Sequence, residues 1–145
     1  MIKEFNSLEE IQKYYDKETG TYEFKESWKY YDLVRFTFDL NIAANIHAFN
    51  IDGKNIKVKN IYAANIDALD IDALYINANY INASNMNVGK IYATDIIARN
   101  IIANYIDYYG VCLAYKNIKC KSIRRRRTNG KHFVLDGKLE IEREE

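Results

Sequence analysis

From Ile46 to Val111 an aliphatic residue returns every fifth position: Ile46, Ile51, Ile56, Ile61, Ile66, Ile71, Ile76, Ile81, Met86, Ile91, Ile96, Ile101, Ile106 and Val111. Two places after most of them stands a small residue, as at Ala48, Val58, Ala68, Ala83 and Ala103, until Tyr108 and Leu113 break the rule. A helix repeats its apolar face every 3.6 residues and a strand every two, so neither alone holds a five-residue stripe. Short extended segments separated by corners do hold it. Positions one and three then point inward, position two points outward, and positions four and five turn the chain. The fifth position is Asn at 45, 50, 55, 60, 65, 85 and 100, and Asp at 70 and 95. Such side chains accept turn backbone and bond one another in ladders. The chain contains no proline to interrupt a strand ladder. Internal repeats of this kind mark a solenoid. The expected coil is square, with four sides, residues twenty apart stacked at the strand spacing, and about four coils in all.

On these residues the sequence resembles the pentapeptide-repeat family, through a variant Ile-x-Ala-x-Asn repeat that covers about half the chain. The resemblance implies a right-handed quadrilateral β-helix. The family usually places its small residue two positions before the large one. Here the order is reversed, as in Ile66-Asp67-Ala68 and Ile81-Asn82-Ala83. The Asn-Ile-Asp-Ala phrases and the Lys-Cys-Lys-Ser-Ile ending also resemble small proteins of AT-rich phages and prophages.

The flanks read as caps, giving three segments: 1–44, 45–123 and 124–145. Ser7-Leu8-Glu9-Glu10 fits a capping box, which predicts a short helix over about 8–15 burying Phe5, Leu8, Ile11 and Tyr15. Val34, Phe36, Phe38, Leu40 and Ile42 alternate with polar residues and predict a strand into the first coil. Trp28, Tyr30 and Tyr31 decorate this cap. After Val111 the register slips by two and resumes at Ile118 and Ile123, with Cys120 inward and Cys112 outward. Asp136-Gly137 between two alternating runs predicts a C-terminal hairpin that caps the last coil or pairs with a second subunit. The expected class is therefore all-β, with a short helix at one end and a β-hairpin at the other.

Composition narrows the function. A net charge of +1 carries no global attraction to nucleic acid or membrane. No basic region followed by an apolar run opens the chain, and no apolar run is long enough to span a bilayer, so a cytoplasmic protein is expected. Two cysteines are too few for a disulfide framework or a metal site. No phosphate loop, nucleophile elbow or metal-ligand cluster is present, so neither catalysis nor a cofactor is expected. Asp52 and Asp72 are expected one level apart in the stack. A regular solenoid is not expected to offer a concave pocket.

Two groups are candidates for partner binding. One is the cationic series Lys119, Lys121, Arg124, Arg125, Arg126 and Arg127, the arginines leaving the last coil. The other is Asp52, Asp67 and Asp72 with Leu69, Leu74 and Tyr75, an outward mixture of acid and apolar residues. The family resemblance implies a protein that docks on a nucleic-acid-handling enzyme and inhibits it. That target is a topoisomerase, or a host defence nuclease such as a CRISPR effector if the gene is phage-borne. Six Asp against four Lys and one Arg in residues 41–115 give a net of only −1, too little for phosphate mimicry over the whole surface. Direct nucleic-acid binding through the basic end and a self-assembling, dimeric scaffold are the alternatives.

Overall fold

A computed structural model describes residues 2–25, 28 and 32–142. Tyr30 and Tyr31 of the expected cap, like Glu144 and Glu145, lie outside the described residues. The elements in chain order are β1 (Ile2–Phe5), α1 (Leu8–Ile11) with a 3-10 turn at Gln12–Tyr14, β2 (Tyr15–Asp16), β3 (Thr21–Glu23), β4 (Leu33–Phe36) and β5 (Leu40–Asn41). Next come β6 (Asn45–His47), β7 (Asn50–Asp52), β8 (Asn55–Lys57) and β9 (Asn60–Tyr62). The long β10 (Asn65–Cys120) bends through successive corners, followed by β11 (Ser122–Arg125), β12 (Lys131–Val134) and β13 (Leu139–Ile141). Together they form one sheet wound on itself into an all-β solenoid.

The coil has three sides rather than the expected four. Ile51 pairs in parallel with Ile66, Ile56 with Ile71, and Ile61 with Ile76, each fifteen positions on. Three pentads therefore complete a turn. The pentad fixes the length of a side but leaves the number of sides open. Three faces result. Face I stacks β2, β3, β6, β9, residues 75–77, 90–92 and 105–107, then β11. Face II stacks β1, β4, β7, residues 65–67, 80–82, 95–97 and 111–114, then β12. Face III stacks β5, β8, residues 70–72, 85–87, 100–102 and 118–120, then β13. Seven levels on face III enclose six turns, roughly 29 Å at the strand spacing, where about four coils were expected.

The inward columns follow the repeat. Ile46, Ile61, Ile76 and Ile91 are fully buried on face I, and Ala78, Ala83, Ala93 and Ala98 fill the space beside the large side chains. The corners are tied by amide ladders. Asn60 Nδ2 donates to Asn45 Oδ1 at 2.8 Å, Asn65 to Asn50 at 2.7 Å, and Asn100 to Asn85 at 3.0 Å. Every amide donates toward the N-terminal end. A carboxylate has no proton to pass on, so Asp70 accepts from Asn85 at 2.8 Å and Asp39 accepts from Asn55 at 2.9 Å.

At the N-terminal end, Ile11 and an aromatic cluster close the shaft. Tyr14 lies 5.4 Å from Phe5 and 5.0 Å from Phe24, ring to ring. The helix is shorter than expected, and Leu8 and Tyr15 face solvent, because the 3-10 turn brings Tyr14 inward in place of Tyr15. Ser7 makes no side-chain cap. Glu10 instead accepts the Asn6 N–H at 2.7 Å. The expected strand over 34–42 is broken into β4 and β5, because a corner at residues 37–39 already separates faces II and III.

The two-residue slip near the C-terminus is made in two steps. At the first, the Asp95 carboxylate accepts the Val111 N–H at 2.8 Å, and Gly110 is buried against that carboxylate, with no room for a Cβ. One added residue inverts the alternation, so Cys112 and Ala114 point inward in place of Val111 and Leu113. Cys112 is therefore fully buried, against the expectation that it faces out. The second residue enters before Ile118, after which Ile106 pairs with Ile123. The expected hairpin is absent. β12 pairs in parallel with Val111–Ala114 and β13 with Ile118–Cys120, so both strands extend the ladders. A two-residue hairpin turn needs positive φ at glycine. Among the described residues only Gly20 has it, and Gly137 instead rounds a corner pressed on the Lys116 carbonyl.

Candidate binding surfaces

The fifteen-residue turn regroups the outward residues. Asp67 lies directly beside Asp52 on face II, whereas Asp72 lies beside Lys57 on face III. The expected Asp52–Asp72 stack is thus replaced by one like-charge pair and one opposite-charge pair. Arg35 Nε donates to Asp52 Oδ2 at 2.9 Å, which leaves Asp67 as the unneutralised member. Partial burial, and then the Asp52 charge, hold the Asp67 carboxyl above its ordinary value. Leu69 and Leu74 are exposed, at 52% and 63%, but stand at opposite corners of face III, and Tyr75 opens face I. The acid and apolar residues expected to share one patch are divided among three faces.

The basic series is likewise taken apart. Lys119 is on face III, where Glu142 sits 3.1 Å from its Nζ and raises the lysine pKa. The Lys121 amide turns the next corner by donating to the Asn104 carbonyl at 3.0 Å. The arginines do not all leave the coil, since Arg124 and Arg125 belong to β11 beside Asp107 and Tyr108. Arg126 folds back on face I. Its guanidinium stacks 3.9 Å from the Tyr92 ring centre and donates to the Tyr92 hydroxyl at 2.7 Å and the Ala93 carbonyl at 2.6 Å. Its Nε lies 2.7 Å from Asp107 Oδ1 at an angle outside hydrogen-bond geometry, so this contact is charge pairing only. Arg127 lies 5.4 Å over the Tyr109 ring.

Two features emerge that a twenty-residue column hides. The first is a trough of about 880 Å³ along face III, against the expectation of no concave pocket. It is lined by the ladder of Asn55, Asp70, Asn85, Asn100 and Asn117 and by the outward column of Lys57, Asp72, Asn87 and Ile102. The second is a run of aromatic side chains down face I. Trp28 is 5.2 Å from His47, His47 is 6.5 Å from Tyr62, and Tyr62 is 6.0 Å from Tyr75, centre to centre. Tyr92, Arg126 and Tyr109 continue it. A hollow of about 480 Å³ beside Trp28, His47, Phe49 and Tyr62 marks its upper end.

One titratable cluster is internal. Tyr108 fills the shaft where alanine stands in earlier coils, and its hydroxyl meets His132 Nδ1 at 2.8 Å. Burial and then Arg125 lower the His132 pKa. Burial pushes the Cys112 thiol up to about 12, so it is a protonated, packed side chain rather than a nucleophile. Among the described residues no group of His, Cys, Asp and Glu is arranged to hold a metal ion, and no helix is long and apolar enough to cross a membrane.

Comparison with known proteins returns no matching family, curated protein or solved structure.

Proposed function

We propose that this protein is a non-enzymatic cytoplasmic binding rod that seats a segment of a partner protein in the face III trough. The partner we propose is a nucleic-acid-handling enzyme, whose action the contact blocks. The trough carries this reading. It runs along the coil axis, one column of its lining presents an amide or carboxylate at successive levels, and the column beside it mixes cation, anion, amide and isoleucine. An extended main chain offers donors and acceptors to such a wall, and side chains supply specificity. The enzyme class of the partner rests on the repeat's resemblance alone. Duplex mimicry is not part of the proposal, because Arg35 engages Asp52 and Lys57 adjoins Asp72.

A photoreactive phenylalanine analogue at Asn87, in the trough lining, tests the reading against the same group at Asn79, at the corner between faces I and II. Capture of one nuclease, helicase or topoisomerase from position 87 and not from 79 supports it. Equal capture at both positions, or none at 87, refutes it.

A second reading rests on the last coil. Phe133, Leu135 and Ile141 are 45%, 63% and 41% exposed there, whereas the first coil is closed by its aromatic cluster. Exposed strand edges with apolar flanks invite pairing. We propose that two copies meet through these ends. Light scattering showing a dimer that Phe133→Glu converts to a monomer supports this, and a monomer at all concentrations refutes it.

A further inference from the structure

We propose that face I is a stacking surface for single-stranded nucleic acid. This inference is independent of the face III trough.

The case begins with spacing. Outward position two on face I reads His47, Tyr62, Asn77, Tyr92, Asp107 and Arg124, and the first residue of successive segments adds Tyr75, Lys90 and Tyr105. Side chains from successive levels stand about 4.8 Å apart, so flat groups on alternate or diagonal levels form one continuous strip. Ring-to-ring contacts join its upper part: Trp28 to His47, His47 to Tyr62 and Tyr62 to Tyr75, each within 6.5 Å. Lower down, Arg126 lies between Tyr92 and Tyr109, at 3.9 and 5.8 Å, and Arg127 lies over Tyr109 at 5.4 Å. From the His47 level to the Arg124 level is five spacings, roughly 24 Å. Every nucleobase presents a π-face, and aromatic rings and guanidinium planes are the groups that stack on it without reading its sequence.

The charges on this face select the ligand. The two outward carboxylates between β3 and β11 are both engaged. Glu23 holds His47 at 2.9 Å, and Asp107 is paired with Arg126 at 2.7 Å. The cations Lys59 and Lys90 stand exposed along the corner that leads into face I, and Arg124 and Arg127 are exposed at its lower end. Rings along the middle with cations at one edge and at the foot match bases flanked by their phosphates. A neutral glycan also stacks on aromatic rings but has no use for those cations. A duplex hides its base faces and offers only phosphate. The hollow of about 480 Å³ between Trp28, His47, Phe49 and Tyr62 sits at the upper end of the strip, where a terminal base can enter edge-on. A strip of this length serves on the order of four nucleotides, the low end for such surfaces.

The test uses the full chain and a fluorescein-labelled oligothymidylate of about ten nucleotides, read by anisotropy, with emission of the single tryptophan as a second signal. Expected are saturable binding, quenching of Trp28, and an affinity that falls between roughly 50 and 200 mM salt with the slope of two or three phosphate contacts. Tyr62→Ser combined with Tyr75→Ser is expected to weaken binding at least tenfold, and Lys90→Ala to reduce the salt slope by about 0.7. Lys54→Ala with Leu69→Ser, at the corner between faces II and III, is expected to change neither. Circular dichroism establishes that each variant keeps its strand signal. Four outcomes overturn the proposal: no saturable binding at the lower salt, equal binding by the tyrosine variant, equal affinity for a duplex of the same length, or Trp28 quenching by a soluble glucan oligosaccharide but not by the oligothymidylate.

Discussion

Replacing Ile76 by alanine tests directly whether position one of the repeat fills the shaft. Ile76 is fully buried on face I, between Ile61 above and Ile91 below, with Ala78 two positions on in the same strand. The substitution removes three carbons. At about 0.8 kcal/mol for each buried methylene-sized group, the transfer loss is about 2.4 kcal/mol. A cavity term adds to it, and here the walls relax little, because strands above and below hold the backbone at fixed spacing. The total expected is about 3–4 kcal/mol. Leu74, two residues away in the preceding repeat, is 63% exposed, and Leu74→Ala is expected to cost under about 0.5 kcal/mol. Urea unfolding followed by far-ultraviolet circular dichroism reads both, compared as midpoints because a solenoid need not unfold in one step. A cost below about 1 kcal/mol for Ile76→Ala, or equal costs at the two sites, would refute the assignment of position one to the shaft.

Other consequences follow from the neighbours that the observed coil gives particular side chains. Asp67→Asn should stabilise the protein by about half a kcal/mol at low salt by relieving Asp52, while Asp72→Asn should not, since its neighbour is Lys57; denaturation midpoints at two salt concentrations decide it. His132 has a lowered pKa in the folded chain, so the unfolded chain binds its proton more readily. Stability is then full above the unfolded value, about 6.5, and is lost as pH falls from there through the folded value. His132→Gln should flatten that part of the curve, and an unchanged slope would exclude His132 as its source. Gly137→Asn should loosen β13, because any Cβ there meets the Lys116 carbonyl, whereas a hairpin turn accepts asparagine. Hydrogen exchange at Leu139–Ile141 reports the loss, and unchanged protection counts against the corner geometry.

The inward columns were legible because burial at one strand position repeats whatever the number of walls. Ile66 and Ala68 are buried in a triangle or a square alike. The Asn corner ladders were legible for the same reason, since each amide needs only a like residue one level away. What the pattern left open depends on how many pentads close a turn, and no side chain within a single pentad encodes that. The hairpin was misread for a related reason. Asp136-Gly137 carries the residue types of a tight reversal, but β12 and β13 satisfy their backbone on existing ladders. Cys112 turned inward because one inserted residue at Gly110 shifts the phase. A buried glycine against Asp95 was the only local sign of it.

The number of walls also decides which surface the protein presents to a partner. With twenty residues to a turn, Asp52 and Asp72 share a column and Tyr62, Tyr75 and Tyr92 fall on different sides. With fifteen, the acids separate, and Tyr62 and Tyr92 come two levels apart with Tyr75 between them. That arrangement is reflected in the Tyr75 hydroxyl, whose pKa is raised by burial and then by Tyr62, Tyr92 and Asp107. The same change brings Lys57, Asp72, Asn87 and Ile102 into one column that lines the trough. Arg126 then has a reason to fold back. Asp107 and Tyr92 stand one level apart on face I, at the right height to receive a guanidinium from the corner that follows β11. A run of four arginines that looks like a single cationic tail is thereby divided. Arg124 and Arg125 stay in the strand, Arg126 is tied to the face, and Arg127 is stacked at its foot on Tyr109. Charge in this chain acts through its place on a face more than through its density in the sequence.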